Sequence, residues 1–244
     1  MDRLIYTAAS GARATTLRQD GITQNLANAN TPGFRADLVA FRAVPVRGEG
    51  AGTRVHSLEV TTGFDAQSGP LQATGRSLDI AIKGQGYIAL QAPDGTEAYT
   101  RNGSFEVNSD GTLTAYNGMP VAGEGGTLTV PAGTVVSIGD DGTVSAKPPT
   151  GPAQTVGRIK LVNPPVAELS KGVDGLLRMA AGEQAVADPA VRIATGAIEG
   201  SNVNVIDAMV NMIAAARQFE TQMKLLQNAE QNDQRAAQLL AQPR

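Results

Sequence analysis

The chain's one histidine, His56, stands beside Ser57 and near Glu59. A Ser-His-acid relay needs a hydroxyl held against the imidazole and donors for an oxyanion. No Gly-x-Ser-x-Gly elbow accompanies these residues, so His56 reads as a solvated loop or strand residue. Gly84-Gln85-Gly86 has the start of a phosphate-cradling loop, but residue 89 is Ala where a third glycine belongs, and no helical pattern follows. It reads as a hairpin turn. Glu106-Val107-Asn108-Ser109-Asp110-Gly111 has the outline of a calcium loop, yet it opens on Glu106 rather than Asp, and its twelfth position is Asn117 rather than a bidentate Glu. Asp140-Asp141 sits in a turn signal. Asn102-Gly103-Ser104 fits a glycosylation acceptor, although a hairpin accounts for it equally well. With no cysteine, thiol nucleophiles, disulfides and thiolate metal sites are excluded. No acid, base and nucleophile converge. The sequence therefore predicts no enzyme and nominates no catalytic, cofactor-binding or metal-binding residue.

What remains is surface. Met209, Met212 and Met223 recur along one helical face, where flexible thioethers suit a partner surface more than a rigid core. That face belongs to the stronger of two terminal helices. Val205, Met209, Met212, Ala216, Phe219, Met223 and Leu226 keep a 3-4 rhythm that continues to Leu240, while Ile206, Val210 and Ile213 widen its first half. Asn204 followed by Asp207 predicts the N-cap, and Glu220 with Lys224 forms a favourable i,i+4 pair. A helix over 204–240 would be roughly 55 Å long at ~1.5 Å per residue.

The N-terminal helix is predicted over 2–29. Ile5, Ala8, Ala12, Thr15, Gln19, Ile22, Leu26 and Ala29 form its stripe, small and partly polar, which makes a thin seam. Gly11 and Gly21 each cost roughly 1 kcal/mol of helix stability relative to Ala, and Asp20-Gly21 has the form of a turn. Thr31-Pro32-Gly33 ends the helix.

Between the helices the chain reads as antiparallel β. Asp94-Gly95, Asn102-Gly103, Asp110-Gly111, Asn117-Gly118 and Asp141-Gly142 punctuate short β-prone runs, and Asx-Gly suits the positive φ of tight turns. Gly157–Val162 alternates cleanly and predicts a late strand. Residues 44–56 and 147–152 read as loops. A net charge of −3 and a pI near 5.2 argue against nucleic-acid or anionic-membrane partners, which demand basic patches. No apolar run approaches the ~20 residues of a membrane span, and the first residues lack a signal-peptide pattern.

Three motifs, in order, carry a resemblance. Asn25-Leu26-Ala27-Asn28 with Thr31-Pro32-Gly33-Phe34 opens it. Leu78–Tyr87 and Tyr99–Phe105 continue it. Ser201-Asn202-Val203-Asn204 with Met209–Ile213 closes it. Together they resemble the bacterial flagellar rod and hook proteins over essentially the whole chain. The opening Met1–Ala8 and Arg217-Gln218-Phe219-Glu220 point to the proximal-rod type, with a distal-rod or other axial subunit as the alternative. The resemblance implies an α+β fold: a mainly-β central domain over 76–188, a linker or extended β segment over 44–75, and segments 1–43 and 189–244 whose helices pair as a coiled-coil-like α domain. It implies a non-catalytic rod subunit that helps transmit torque. Its partners would be copies of itself, other rod subunits and the flagellar type III export apparatus. It would act in the periplasm after export without a cleavable signal. The assembly contacts nominated on this basis are Val205, Met209, Met212, Ile213, Phe219 and Met223, with Ile5, Ile22 and Leu26 opposite them. A secreted β-domain ligand binder or hydrolase is the rival class; it would need the convergent polar site that the sequence lacks.

Overall fold

The protein is described by a computed structural model over residues 2–45, 55–179 and 183–240. It is α+β, with a mainly-β middle and one long helix near each end. The chain divides into two compact units. The terminal unit gathers Met1–Ala27, Asp37–Phe64 and Asn204–Arg244; the central unit holds Asn28–Ala36 and Asp65–Val203.

In the terminal unit, helix α1 (Asp2–Ala27) packs along helix α2 (Val205–Leu240). The predicted α1 stripe faces inward: Ala8, Ala12 and Thr15 are buried, and Thr15 donates its hydroxyl to Gly11 O at 2.9 Å. The helix runs unbroken through Asp20-Gly21 and ends two residues before the predicted 29. Both glycines that weaken it in isolation lie at close approaches. A Cβ on Gly11 would sit 3.2 Å from the Gln222 amide, and one on Gly21 would sit 2.8 Å from Val39 Cγ2. Val39 belongs to an antiparallel hairpin of Asp37–Pro45 and Val55–Phe64 that packs on α1. The loop read over 44–56 thus begins and ends inside paired strands, with His56 opposite Val44; residues 46–54 and the His56 side chain lie outside the described residues.

The central unit is built on a five-stranded antiparallel sheet. Its order is Leu161–Val162, Tyr87–Gln91, Glu97–Thr100, Leu177–Met179 and Leu169–Lys171. A three-stranded sheet of Val135–Ile138, Thr143–Lys147 and Gln154–Arg158 adjoins shorter pairs, including Ile80–Lys83 with Arg192–Thr195 and Leu71–Ala73 with Ala197–Glu199. Ile80, Ile88, Leu90, Phe105, Leu113 and Ile159 close the core between them. Burying a side chain of that size contributes about 1.5–3 kcal/mol. Four of the five predicted Asx-Gly turns place their glycine at positive φ; at Gly103 the requirement is instead a close approach, its would-be Cβ lying 2.0 Å from Ile80 O.

Two strand readings need correction. Gly157–Val162 is not one strand. The chain leaves the three-stranded sheet at Arg158 and joins the five-stranded sheet at Leu161, while Ile159 bridges to Gly123. Ile159 and Leu161 are buried on either side of the half-buried Lys160, and Val162 is buried as well. Gly84-Gln85-Gly86 is not a hairpin turn either: the strands on its two sides, Ile80–Lys83 and Tyr87–Gln91, pair with other strands and not with each other.

The two helix glycines should respond oppositely to a methyl group. Gly11→Ala is expected to stabilise the terminal unit by up to about 1 kcal/mol through helix propensity, because the flexible Gln222 amide can yield. Gly21→Ala is expected to destabilise it, because the β-branched Val39 cannot. Thermal unfolding followed by far-UV circular dichroism separates the two; equal stabilisation by both would refute the tight α1–hairpin contact.

Candidate assembly interface

Helix α2 starts where the sequence predicts. Asn204 Oδ1 accepts from Ile206 N at 3.0 Å and from Asp207 N at 3.3 Å, satisfying two of the first turn's free donors. The face that α2 turns inward, however, is offset from the predicted stripe. Ala208 and Ala215 are buried, and Met212, Phe219, Gln222 and Leu226 are half-buried along the same line. The two buried positions of the inner line are alanines, which let the two helices approach closely there.

The large apolar side chains of the first turns stay outside. Val205, Met209, Ile213 and Met223 are exposed, as are Ile206 and Val210, at 38–73% of their full surface. Positions 205, 206, 209, 210 and 213 follow i, i+1, i+4, i+5 and i+8, so they form one continuous stripe. Of the nominated contacts, Met212 and Phe219 lie on the inner line, half-buried, and not on this stripe. On α1, Ile22 and Leu26 are half-buried, and the Ile5 side chain lies outside the described residues.

The motif residues at the two ends of the chain do different work. Within the terminal unit, Asn25 Oδ1 accepts from Asp37 N at 2.7 Å and Asn25 Nδ2 donates to Asp37 O at 3.0 Å. This amide ties the end of α1 to the start of the hairpin. Leu26 and Ala27 complete α1's last turn, and Asn28 accepts from Thr31 N and Thr31 Oγ1 in the turn that precedes Pro32.

Within the central unit the remaining motif residues form a clasp. Asn202 Oδ1 accepts from Ala36 N at 2.7 Å, and its Nδ2 donates to Asp65 O and Gln67 O, each at 3.0 Å. Ser201 Oγ accepts from Val203 N at 3.2 Å, which shapes the exit toward Asn204. Gly33 N donates to Glu199 O at 2.8 Å, and Gly33 adopts φ 70° against the Arg101–Asn102 backbone. Phe34 is buried under Lys171, whose Nζ lies 3.8 Å from the ring centre and donates to Arg35 O at 2.7 Å. One side chain thus secures segments 36, 65–67 and 202, which lie far apart in the sequence.

Beneath the clasp lies an ion cluster that sequence reasoning did not nominate. Glu199 is fully buried, and Arg35 and Arg101 are each 3% exposed. Arg35 Nη2 lies 2.8 Å from Glu199 Oε1, which also accepts from Gly69 N at 2.9 Å. Arg101 Nε lies 2.9 Å from Oε2, but its N–H is not aimed at that oxygen, so the attraction there is coulombic rather than an aligned hydrogen bond. Arg101 spends its other donors on Gly86 O, Gly84 O and Ser68 Oγ at 2.7–2.9 Å. This explains the Gly84-Gln85-Gly86 turn: its carbonyls hold a guanidinium. Burial lowers the Arg101 pKa, and the Glu199 carboxylate opposes that shift. The signal for the cluster was present in charged residues embedded beside glycines, at Phe34-Arg35, Arg101-Asn102-Gly103 and Glu199-Gly200, but nothing local pairs them.

Removing one partner from a buried ion cluster leaves the other charges uncompensated. Glu199→Gln is therefore expected to destabilise the central unit by about 3–5 kcal/mol. Urea unfolding monitored by amide exchange of the Ile80–Lys83 strand would measure it, and a loss below about 1 kcal/mol would show that the carboxylate is dispensable.

Comparison with known proteins places these features. Residues 5–35 match the family described as flagella basal body rod protein, residues 81–146 the flagellar hook protein FlgE/F/G D1 domain, and residues 194–239 the flagellar basal body rod FlgEFG protein C-terminal family. The flagellar basal-body rod protein FlgF of Salmonella typhimurium strain LT2 is 48% identical over 251 residues, covering 99% of each chain, and that of Escherichia coli K12 is equally similar. FlgG of Bacillus subtilis strain 168 is 33% identical over 95% of this chain and 96% of its own. The first matched region covers most of α1 and runs to Arg35, the second lies within the central unit, and the third holds Glu199, Asn202 and most of α2; this chain belongs to the flagellar basal-body rod protein family.

Proposed function

We propose that this chain is a non-catalytic structural subunit of the flagellar basal-body rod, of the proximal-rod type, and that it polymerises through its terminal helices to help carry torque from motor to hook. The observation that carries this reading is the apolar stripe Val205, Ile206, Met209, Val210 and Ile213, left outside on a helix that buries alanines. The 48% identity to the FlgF proteins of Salmonella typhimurium and Escherichia coli, against 33% to FlgG of Bacillus subtilis, supports the proximal type over the distal one.

In this reading, copies of the chain and other rod subunits cover the stripe. Full burial of a Val, Ile or Met side chain contributes about 1.5–3 kcal/mol, and these residues are already partly covered. Five of them still supply several kcal/mol per contact, enough to offset ordering costs at the interface. Ile22 and Leu26, with Met212, Phe219 and Met223, would extend the contact as α1 and α2 pair in coiled-coil fashion along an inner layer of the rod. Export through the flagellar type III apparatus and assembly in the periplasm complete the proposal.

Met209→Asp tests it. Met209 is exposed, so the variant's unfolding free energy should stay within about 0.5 kcal/mol of the parent. Its incorporation into purified basal bodies should be lost, because assembly would bury an unpaired carboxylate. Normal incorporation, read by immunoblot of isolated basal bodies, would remove the stripe from the interface.

A further inference from the structure

The ion cluster of the central unit is not electrically closed. Two guanidinium groups face one carboxylate. Among the described residues, Glu199 is the acidic group that acts on Arg101, with Arg35 and Tyr87 as its other charged or titratable neighbours. One positive charge is left over in a nearly dry setting. In addition, Arg35 Nε and Nη1 are buried and have no protein hydrogen-bond partner among the described residues. Such donors are costly unless something accepts from them.

Both arginines line a cavity of about 220 Å³. The Tyr87 ring, Pro164, Pro165 and Val166 form apolar parts of its wall, while Gly84 and Gly86 are already held by Arg101. Cationic residues and an apolar rim suit a ligand with a charged end and a short hydrocarbon stem. A single negative charge would neutralise the cluster, and a planar oxyanion is the acceptor that guanidinium donors fit best.

We propose that this cavity is a receptor for a carboxylate, held by Arg35 and backed by the charge of Arg101. Two sources share that chemistry: a free monocarboxylate, and an acidic side chain of a neighbouring subunit whose methylenes would lie against Pro164, Pro165 and Val166. The site stands on the central unit alone and does not depend on the helical assembly surface.

The test is a titration of the full-length, isotope-labelled protein, reading the Arg35 and Arg101 Nε–H and the Gly84 and Gly86 amide resonances. Acetate and blocked glutamate (N-acetyl-glutamate N-methylamide) are added in turn, against sodium chloride at matched ionic strength. Saturable shifts with either carboxylate, and none with chloride, are expected. Tighter binding of blocked glutamate identifies the side-chain source; equal or tighter binding of acetate identifies the free one. No saturable shift with either, or the same response to chloride, overturns the site. Arg35→Lys keeps the charge but removes the guanidinium donors, and should weaken the Gly84 and Gly86 response roughly tenfold. An unchanged response in that variant would also overturn the assignment to Arg35, and the wild-type titration decides the matter even if the variant does not fold.

Discussion

The Glu199 carboxylate, fully buried between Arg35 and Arg101, is the constraint around which the central unit is arranged. A carboxylate taken out of water is tolerable only when opposite charges and aligned donors surround it. Meeting that condition fixes where other segments can lie. Gly69 must bring its N–H to Oε1, and it can do so only without a side chain, since a Cβ there would stand 2.1 Å from Gly200 O. Arg101 must reach both the carboxylate and the carbonyls of Gly84 and Gly86, which sets the turn between two strands. Gly33 meets the Glu199 carbonyl, so the segment that follows α1 is held by the same residue. Asn202 then secures the three stretches that enter and leave the unit.

The two units solve burial differently. The central unit closes on large aliphatic and aromatic side chains, in the ordinary manner of a self-sufficient β fold. The terminal unit closes its helices on Ala8, Ala12, Ala208 and Ala215 and leaves Ile206, Met209, Val210 and Ile213 outside. A helix serving only its own chain would place these the other way round. That inversion is the physical ground for reading α2 as a helix shared with neighbours. Gly11 and Gly21 cost helix propensity, and each stands at a close approach, Gly11 to Gln222 of α2 and Gly21 to Val39 of the hairpin.

Much of the fold was legible in the residues. The two helices, the Asn204 cap, the α1 stripe of Ala8, Ala12 and Thr15, and four of the five Asx-Gly turns follow from local rules whose period or φ requirement is written in a few adjacent positions. The motif order Asn25–Phe34 and Ser201–Asn204 carried the family. The strand partners were not legible. Gly157–Val162 alternates as one strand, yet it changes sheets at Ile159, because alternation records which face is buried and not which strand lies beside it.

The sequence by itself determined element types, their caps and the family, because those depend on neighbours within a few residues. Only the tertiary structure decided which side of α2 is spare, since the 3-4 rhythm runs through both the alanine line and the stripe at Val205, Met209 and Ile213, and packing chose the smaller side chains for the closer contact. It alone also decided the union of Arg35, Arg101 and Glu199. Those charges are separated by 66 and 98 positions, and no periodicity links residues that meet only when the ends of the central unit are brought together.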